Sequence, residues 1–193
     1  MIQHPLASIV VLPAPQAAPL LLGTKIMSRH GDETVGGIIT EIEAYTQDDP
    51  ASHTFRGVTK RNAAMFGPAG HAYVYFTYGM HYCLNIVCGP PGRGEGVLIR
   101  GIKIIDGIDV AIKRRYDDRE PTLIQLKNIS NGPGKVVQAL GVSMADYGVD
   151  LLDSSGNVFI TSGNPIDPSS IQQSARIGIS SAKETLWRWH TRE

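Results

Sequence analysis

The feature that most constrains the fold of this chain is a strand-forming segment over residues 72–87, interrupted only by Gly79-Met80. The residues before the interruption are AYVYFTY and those after it are HYCLNIV, both rich in aromatic and β-branched side chains. Two runs of this kind on either side of a glycine predict two antiparallel strands joined by a tight turn. We therefore expect a β-hairpin here, as part of an antiparallel sheet.

Further strand- and helix-forming segments lie on both sides of this hairpin. Alternating or β-branched residues predict strands at residues 35–45, 97–105 and 157–161. Helices are predicted at 109–116, around Gln125, and at 135–140 after a turn at 131–134. Residues 20–28 suit a helix end or a short strand, and residues 46–66 form a polar loop. Strands and helices do not alternate regularly, so we expect an α+β fold dominated by an antiparallel sheet.

The composition suits a single folded domain. The chain has 193 residues, 42% hydrophobic and 19% charged, which allows a buried core and excludes a disordered or collagen-like chain. We expect one domain over residues 1–193, in which the proline-rich residues 1–19 could form an irregular segment. No apolar run reaches the roughly 18 residues of a membrane-spanning helix, and residues 1–23 lack the Lys or Arg of a signal peptide. We therefore expect no membrane partner and an intracellular location.

The sequence offers little support for a metal or cofactor site. Cys83 and Cys88 match no CxxC spacing, so we expect reduced thiols in a strand rather than metal ligands. The GPGK segment at 132–135 lacks the Ser or Thr of a phosphate-binding P-loop. The paired motifs of zinc deaminases are also absent. No metal and no other cofactor is predicted.

The zero net charge of the chain conceals a basic middle. Eighteen Lys and Arg balance eighteen Asp and Glu overall, but residues 53–115 hold nine bases and three acids, a local charge of +6. Residues 1–52 carry −4 and residues 116–193 carry −2. A basic patch of this kind can bind a phosphate backbone. The alternative is an ordinary mixed surface exposed to water.

Two charged residues stand out within predicted strands. Alternation in the 35–45 strand places Glu43 on the same face as Glu41 and Tyr45, so the two carboxylates would repel. Facing water, both are ordinary surface acids; lining a pocket, one could serve as a general base. Arg100 interrupts the apolar segment VLIRGI, and a buried arginine needs a partner such as a carboxylate on a neighbouring strand. The alternative is an arginine on an edge strand.

Four of the seven tyrosines of the chain fall between residues 73 and 82. Aromatic pairs across strands stabilise sheets, which is the simplest explanation. An aromatic beside the turn, however, could insert between base pairs of DNA, as Tyr78 next to Gly79-Met80 would. A base displaced in this way needs flat stacking partners, and Tyr45, His53 and Tyr75 are of suitable types.

These segments resemble the alkyladenine (3-methyladenine) DNA glycosylase family, the monofunctional glycosylases with the mammalian-type fold. The matching segments run in order through most of residues 20–180: EIEAY (41–45), the segment ending at His53, the long stretch 60–87, VLIRG (97–101), NGPGKVVQAL (131–140) and ARIGI (175–179). The chain departs from the family pattern in its Pro- and Ala-rich start and in TKRN where TPRN is more common. The resemblance implies a single α+β domain with a curved antiparallel sheet, flanking helices and a protruding hairpin.

The resemblance also implies roles for individual residues. Glu43 corresponds to the general base that activates a water, and Arg100 to the arginine that helps to hold that water and the glutamate. Tyr45, His53 and Tyr75 correspond to the stacking pocket for the flipped purine. Tyr78, with Met80, corresponds to the wedge that fills the gap in the duplex. Asn85 corresponds to the residue that disfavours the 2-amino group of guanine. Basic residues placed to contact the DNA backbone are Arg56, Lys60, Arg61 and Lys135.

By this resemblance the chain is a DNA glycosylase that flips alkylated or deaminated purines out of duplex DNA and hydrolyses the N-glycosidic bond. It would start base excision repair, have no lyase activity, need no cofactor and act as a monomer on double-stranded DNA. The alternative is a non-catalytic nucleic-acid-binding module, related to the C-terminal domain of formyltransferases. Such a module would need the basic middle and the aromatics, but not Glu43 paired with Arg100.

Overall fold

The computed structural model describes residues 4–77, 79–117 and 119–191, and within them eight strands form one antiparallel sheet. The strands are β1 (Lys25–His30), β2 (Glu33–Tyr45), β3 (Ala72–Thr77), β4 (His81–Val87), β5 (Gly96–Asp106), β6 (Val158–Thr161), β7 (Ile171–Ser174) and β8 (Arg188–Thr191). Their order is β3-β4-β5-β2-β1-β6, with β8 paired to β2 and β7 paired to β8. The sheet curls into a half-barrel, which confirms the predicted α+β class with a curved antiparallel sheet.

Helices flank this sheet. Within the described residues they are α1 (Ala7–Val10), α2 (Ala14–Leu21), α3 (Ile108–Tyr116), α4 (Leu123–Lys127) and α5 (Pro133–Leu140). Helix α5 packs on β4 and β5, and α2 packs on β2 and β5. Helix α5 begins two residues earlier than predicted, because proline suits the first helical turn, where its missing N–H has no partner in any case. None of the described helices is long and apolar enough to span a bilayer.

The proline-rich start of the chain differs from the irregular segment that we expected. Residues Ala14–Leu21 form a helix although Pro15 and Pro19 lie within it. Pro15 is in the first turn, where backbone N–H groups lack intrahelical acceptors, so it removes no hydrogen bond from the helix. Ala14, Ala17, Ala18 and Leu21 recur at helical spacing and are completely buried, and this apolar face holds the helix on the sheet.

The predicted β-hairpin is confirmed. Strands β3 and β4 pair from Ala72 opposite Ile86 to Thr77 opposite His81. Gly79 in the turn has a φ of +67°, a left-handed conformation that glycine adopts without strain. The base of the hairpin is buried in the sheet, whereas the side chain of Met80 is 70% exposed at its end. Tyr78, the predicted wedge, lies outside the described residues.

Strand β2 is the longest of the described strands, and Glu43 lies near its end. It pairs with β1 through its first half, with β5 along most of its length, and with β8 at residues 41–43. Irregular register on either side of Glu41 bends the strand. Ile42, Glu43 and Ala44 are all completely buried, because both faces of the strand are covered here. The simple alternation of an exposed and a buried face therefore does not hold at the end of β2.

Candidate active site

A pocket of about 360 Å³ opens between the hairpin, the loop after β2, the start of α5 and the segment 177–180. This volume lies within the range of about 300 to 1,000 Å³ that is usual for small-molecule sites. The lining combines aromatic and polar side chains with the backbone of the 177–180 segment. The predicted stacking residues Tyr45, His53 and Tyr75, together with Asn85 and Arg100, all line the pocket.

Three aromatic rings form one wall of the pocket. The rings of Tyr73 and Tyr75 are stacked with centroids 5.3 Å apart, and the His53 ring meets Tyr75 edge-on at 4.6 Å. The hydroxyl of Tyr73 lies 2.9 Å from Nδ1 of His53, which fixes the orientation of the imidazole. Burial raises the pKa of both tyrosines, so their hydroxyls stay protonated over the whole physiological range.

The polar edge of this wall is set by His53 and Asn85. Partial burial of the His53 ring and the positive charge of Arg61 lower the pKa of His53, which favours the neutral imidazole at pH 7. Asn85 is buried on β4, and its Nδ2 donates to the backbone carbonyl of Tyr73 at 3.1 Å. The amide is thereby held in one orientation at the pocket wall.

Glu43 lies directly behind the pocket, and its side chain is completely buried. Its Oε2 accepts a hydrogen bond from the Tyr45 hydroxyl at 2.8 Å, and its Oε1 accepts one from the backbone N–H of Ile177 at 2.8 Å. Nε of Arg100 lies 3.4 Å from the same Oε1. A carboxylate offers about four lone-pair positions, so these three groups leave capacity for one further donor. The three residues whose polar groups lie against the Glu43 carboxylate, namely Tyr45, Arg100 and Ile177, all line the pocket.

Arg100 joins the two carboxylates that were expected to repel. Its Nε lies 2.9 Å from Oε1 of Glu41 and 3.4 Å from Oε1 of Glu43, so the expected partner on a neighbouring strand is present. Arg188 on β8 adds a second cation, with Nε 2.6 Å from Oε1 of Glu41. Burial opposes the ionisation of Glu41, but the hydrogen bonds from Arg188 and Arg100 outweigh it and lower the pKa of this carboxyl. The result is a charge-balanced cluster of two acids and two bases.

The residues predicted to contact the DNA backbone lie on the loop after β2 and in the first turn of α5, and none of them lines the pocket itself. Arg56 and Lys60 are exposed on the loop after β2. Arg61 donates to the carbonyl of Phe76 at 3.1 Å and lies over the Tyr75 ring at 5.5 Å. Lys135, in the first turn of α5, reaches Oδ1 of Asn131 at 2.8 Å.

Several residues of the site were not anticipated from the sequence. Arg188 completes the charged cluster at Glu41, Tyr73 orients His53, and Ile177 donates to Glu43. Arg176 and Asp49 form a buried ion pair close to Tyr45. The ARIGI segment carries Arg176 and Ile177, and in the sequence it stands out only through its resemblance to a known family. Its contacts with β2 bridge more than 130 residues, and no local pattern indicates them.

The two cysteines are free, as predicted, and both are buried. Cys83 lies in β4, but Cys88 comes just after the end of this strand, so the expectation that both lie in a strand is wrong for Cys88. Burial raises the pKa of both thiols. Among the described residues no group of three or more His, Cys, Asp or Glu side chains is placed to hold a metal ion.

Comparison with known proteins identifies the class to which this fold and pocket belong. The family model described as methylpurine-DNA glycosylase (MPG) matches residues 9–193. The chain belongs to this family.

Individual relatives agree over most of the chain. Proteins named "Putative 3-methyladenine DNA glycosylase" include one from Burkholderia lata, 41% identical over 91% of this chain and 82% of its own length. Another, from Carboxydothermus hydrogenoformans, is 43% identical over 88% of this chain and 85% of its own length. A third, from Francisella tularensis subsp. tularensis, is 39% identical over 97% of this chain and 95% of its own length. The family and these names together support DNA glycosylase activity.

Proposed function

We propose that this protein flips alkylated or deaminated purines out of duplex DNA and hydrolyses the bond between the base and the sugar. This reaction would begin base excision repair of the damaged site. The observation that carries the proposal is the completely buried carboxylate of Glu43, held by Arg100 and Tyr45 immediately behind an aromatic pocket. Hydrolysis needs a base beside the bound substrate, whereas a binding module does not, and the pairing with Arg100 offsets the cost of burying this carboxylate.

The aromatic pocket is proposed to hold the flipped base. The base would stack between Tyr45 on one side and the His53–Tyr75 pair on the other, since both sides line the same pocket. Asn85, fixed by its bond to the Tyr73 carbonyl, would stand against the 2-amino group that undamaged guanine carries. Flipping costs a few kcal/mol and is cheapest at damaged or mispaired bases, which contributes to selectivity.

The exposed end of the hairpin is proposed to occupy the gap that the flipped base leaves. Met80 is 70% exposed there, and apolar side chains at such positions can insert between base pairs from the minor groove. We assign the same role to Tyr78 from its place in the sequence. Arg56, Lys60, Arg61 and Lys135 would hold the flanking phosphates.

Glu43 is proposed to act on a water at C1′ of the sugar. The water oxygen bonds to C1′, its proton passes to Glu43, and the C1′–N bond breaks with its electron pair going to the base. The transition state resembles an oxocarbenium ion, which the nearby carboxylate also stabilises. A purine alkylated at N3 or N7 is already cationic, so it leaves as a neutral base without a general acid.

The remaining features of the proposal follow from the same chemistry. Glu43 is assigned the activation of the water and the alkylated base leaves unaided, so the proposed reaction needs no metal or organic cofactor. Among the described residues that line the pocket there is no lysine to form a Schiff base, and we expect no strand cleavage. We expect the protein to act as a monomer, inside the cell, where its DNA substrate lies.

The test is release of 3-methyladenine from methylated duplex DNA by the purified protein and by Glu43→Gln. Removing the general base should lower base release by about 100- to 10,000-fold, because the amide cannot accept the proton of the water. Glu43→Gln should still bind duplex DNA that contains an abasic-site analogue with unchanged affinity. Glu33→Gln is the matched control, since it makes the same change in the same strand, at a carboxylate that pairs with Lys113 and Arg114 away from the pocket.

Base release by Glu43→Gln at the rate of the unchanged protein would contradict the role of Glu43. Absence of base release by the unchanged protein, with retained affinity for duplex DNA, would favour a non-catalytic binding module instead.

A further inference from the structure

A buried arginine that takes no part in the proposed chemistry lies at the junction of three segments of the pocket. The side chain of Arg176 is completely buried and forms a two-pronged ion pair with Asp49, whose side chain is 2% exposed. The second nitrogen of this pair, Nη2, lies 3.0 Å from Oδ1 of Asp49. Removing such a pair from water is costly, so the fold retains it only at a compensating gain elsewhere.

The guanidinium of Arg176 reaches the end of β2 directly. Its Nη1 donates to the carbonyl of Ala44 at 3.0 Å, and its planar group lies over the ring of Tyr45 at 4.7 Å. The ring of Trp187 lies 5.4 Å from the same group, and the Trp187 carbonyl accepts the N–H of Ala44 at 2.9 Å. Arg176 and Trp187 thus hold both the carbonyl and the N–H of Ala44. Ala44 lies between Glu43 and Tyr45 in the chain, so this cluster of Arg176, Asp49 and Trp187 holds the backbone that carries both residues.

The two other segments are joined to the same cluster. Asp49 accepts the N–H of Ala51 on its side chain at 3.0 Å, and its carbonyl accepts the N–H of Ser52 at 2.9 Å. This turn leads directly to His53. On the arginine side, the next residue along the chain is Ile177, whose N–H donates to Glu43 at 2.8 Å.

We propose that Arg176, paired with Asp49, is a positioning residue that sets Tyr45, His53 and Ile177 in the geometry required for Glu43 to act. The inference rests on the proposed function, because it assigns to the pair a role in the same reaction. Arg176 suits the role because its planar guanidinium pairs with a carboxylate at two points and stacks on aromatic rings at the same time. A lysine supplies the same charge but neither the second prong nor the stacking face.

The experiment compares the unchanged protein with Arg176→Lys, and with Arg114→Lys as a control. Arg114 is a partly buried arginine that pairs with Glu33 and donates to the Leu140 carbonyl at the far end of α5. Each protein is assayed with enzyme in excess over methylated duplex DNA, below its melting temperature. Affinity for a duplex with an abasic-site analogue is measured in parallel.

Arg176→Lys should reduce the single-turnover rate of 3-methyladenine release about 10- to 100-fold, the effect expected of a small misplacement of reacting groups. Its affinity for the abasic-site duplex should change less than twofold, because the proposed phosphate contacts lie elsewhere. Whatever its melting temperature, Arg114→Lys should have a rate per folded molecule equal to that of the unchanged protein. A rate of Arg176→Lys that falls only with its folded fraction, as in the control, would overturn the proposal.

A crystal structure of Arg176→Lys provides a readout that does not depend on activity. We expect at least one of the two hydrogen bonds to Glu43, from Tyr45 and from Ile177, to lengthen beyond 3.5 Å. If both stay at 2.8 Å, Arg176 does not position this site, whatever the rate. Failure of the unchanged protein to release any base would refute the proposed function, while this structural comparison would still decide the role of Arg176.

Discussion

At the scale of single residues, Glu41 shows how two acids can share one strand face. It accepts hydrogen bonds from Arg100 and Arg188, and these lower its pKa below the ordinary 4.5 although burial opposes ionisation. Nε of Arg100 also lies 3.4 Å from Oε1 of Glu43, so the arginine compensates the negative charges of both Glu41 and Glu43. The charge of Glu41 therefore anchors the arginine that the proposed general base needs.

A pH-dependent contribution to stability follows from the lowered pKa of Glu41. A carboxyl with a lower pKa in the folded state stabilises the fold at pH values above its unfolded pKa and loses that contribution as the pH falls through the folded value. Glu41→Gln should therefore reduce the free energy of unfolding at pH 7, and the difference from the unchanged protein should shrink below about pH 4.5. Urea unfolding from pH 7 to pH 3 measures this difference. A difference that stays constant over the range would contradict the prediction.

The individual site residues were predictable from the sequence to different degrees. A carboxylate partner for Arg100 followed from one polar residue in an apolar strand, and the resemblance to a known family pointed to Tyr45, His53, Tyr75 and Asn85. Arg176 and Asp49 carried no such signal, because they are 127 residues apart and meet only through the tertiary fold. The complete burial of Glu43 also depends on the distant segment at Ile177 that covers it.

At the scale of elements, helix α2 begins without a capping side chain of its own. Its N-cap residue is Pro13, and the N–H of Ala14 donates instead to Oε2 of Glu95 at 2.8 Å. Glu95 is 2% exposed and also accepts from Nε of Arg93 at 2.5 Å. A residue 81 positions away thus ties the first helical segment to the sheet.

Loss of this distant cap should loosen α2 more than the rest of the fold. The two oxygens of Glu95 accept separate hydrogen bonds, one from the N–H of Ala14 and one from Nε of Arg93. Glu95→Gln replaces one of these oxygens by an NH2 group, which cannot accept, and removes the negative charge at the start of the helix. We expect the free energy of unfolding to fall by about 0.5 to 2 kcal/mol, the range for losing an N-cap. Hydrogen exchange should accelerate in residues 14–21 first. Glu184→Gln, at an exposed side chain, is the control and should stay within about 0.5 kcal/mol.

The elements themselves were predicted better than their arrangement. The hairpin, the strands near 35–45 and 97–105 and the helix near 109–116 follow from local patterns and are present. The position of β2 between β5 and β1, and the addition of β8 to the end of β2, have no local signature. The helical nature of residues 14–21 was missed because their prolines outweighed the apolar spacing, although one of them lies in the tolerant first turn.

At the scale of the whole molecule, the even balance of 18 bases and 18 acids conceals an uneven distribution of charge along the chain. The segment 53–115, with a charge of +6, includes residues 53–66 of the loop, the hairpin β3–β4 and all of β5. The acids of segment 1–52 lie outside β1, and Glu41, Glu43, Asp48 and Asp49 each lie against an arginine that offsets their charge. The protein can therefore attract DNA at the pocket while remaining neutral overall.

The uneven distribution of charge along the chain leads to a quantitative prediction for DNA binding. If Arg56, Lys60, Arg61 and Lys135 each contact one phosphate, the logarithm of the binding constant should fall against the logarithm of salt concentration with a slope of roughly −3.6. Replacing Arg56 or Lys60 by Gln should reduce the magnitude of the slope by about 0.9 each, because one fewer counterion is released. Titration of an undamaged duplex at several salt concentrations measures it.

The matched control for these variants is Lys25→Gln. Lys25 lies on β1 and pairs with Thr161 of β6, at the opposite end of the sheet from the hairpin. The Lys25→Gln variant loses the same charge as Lys60→Gln. An equal change in slope in both variants would show that total charge, and not the basic segment, governs binding. An unchanged slope in Lys25→Gln, with a reduced slope in the two loop variants, would place the phosphate backbone against the loop after β2.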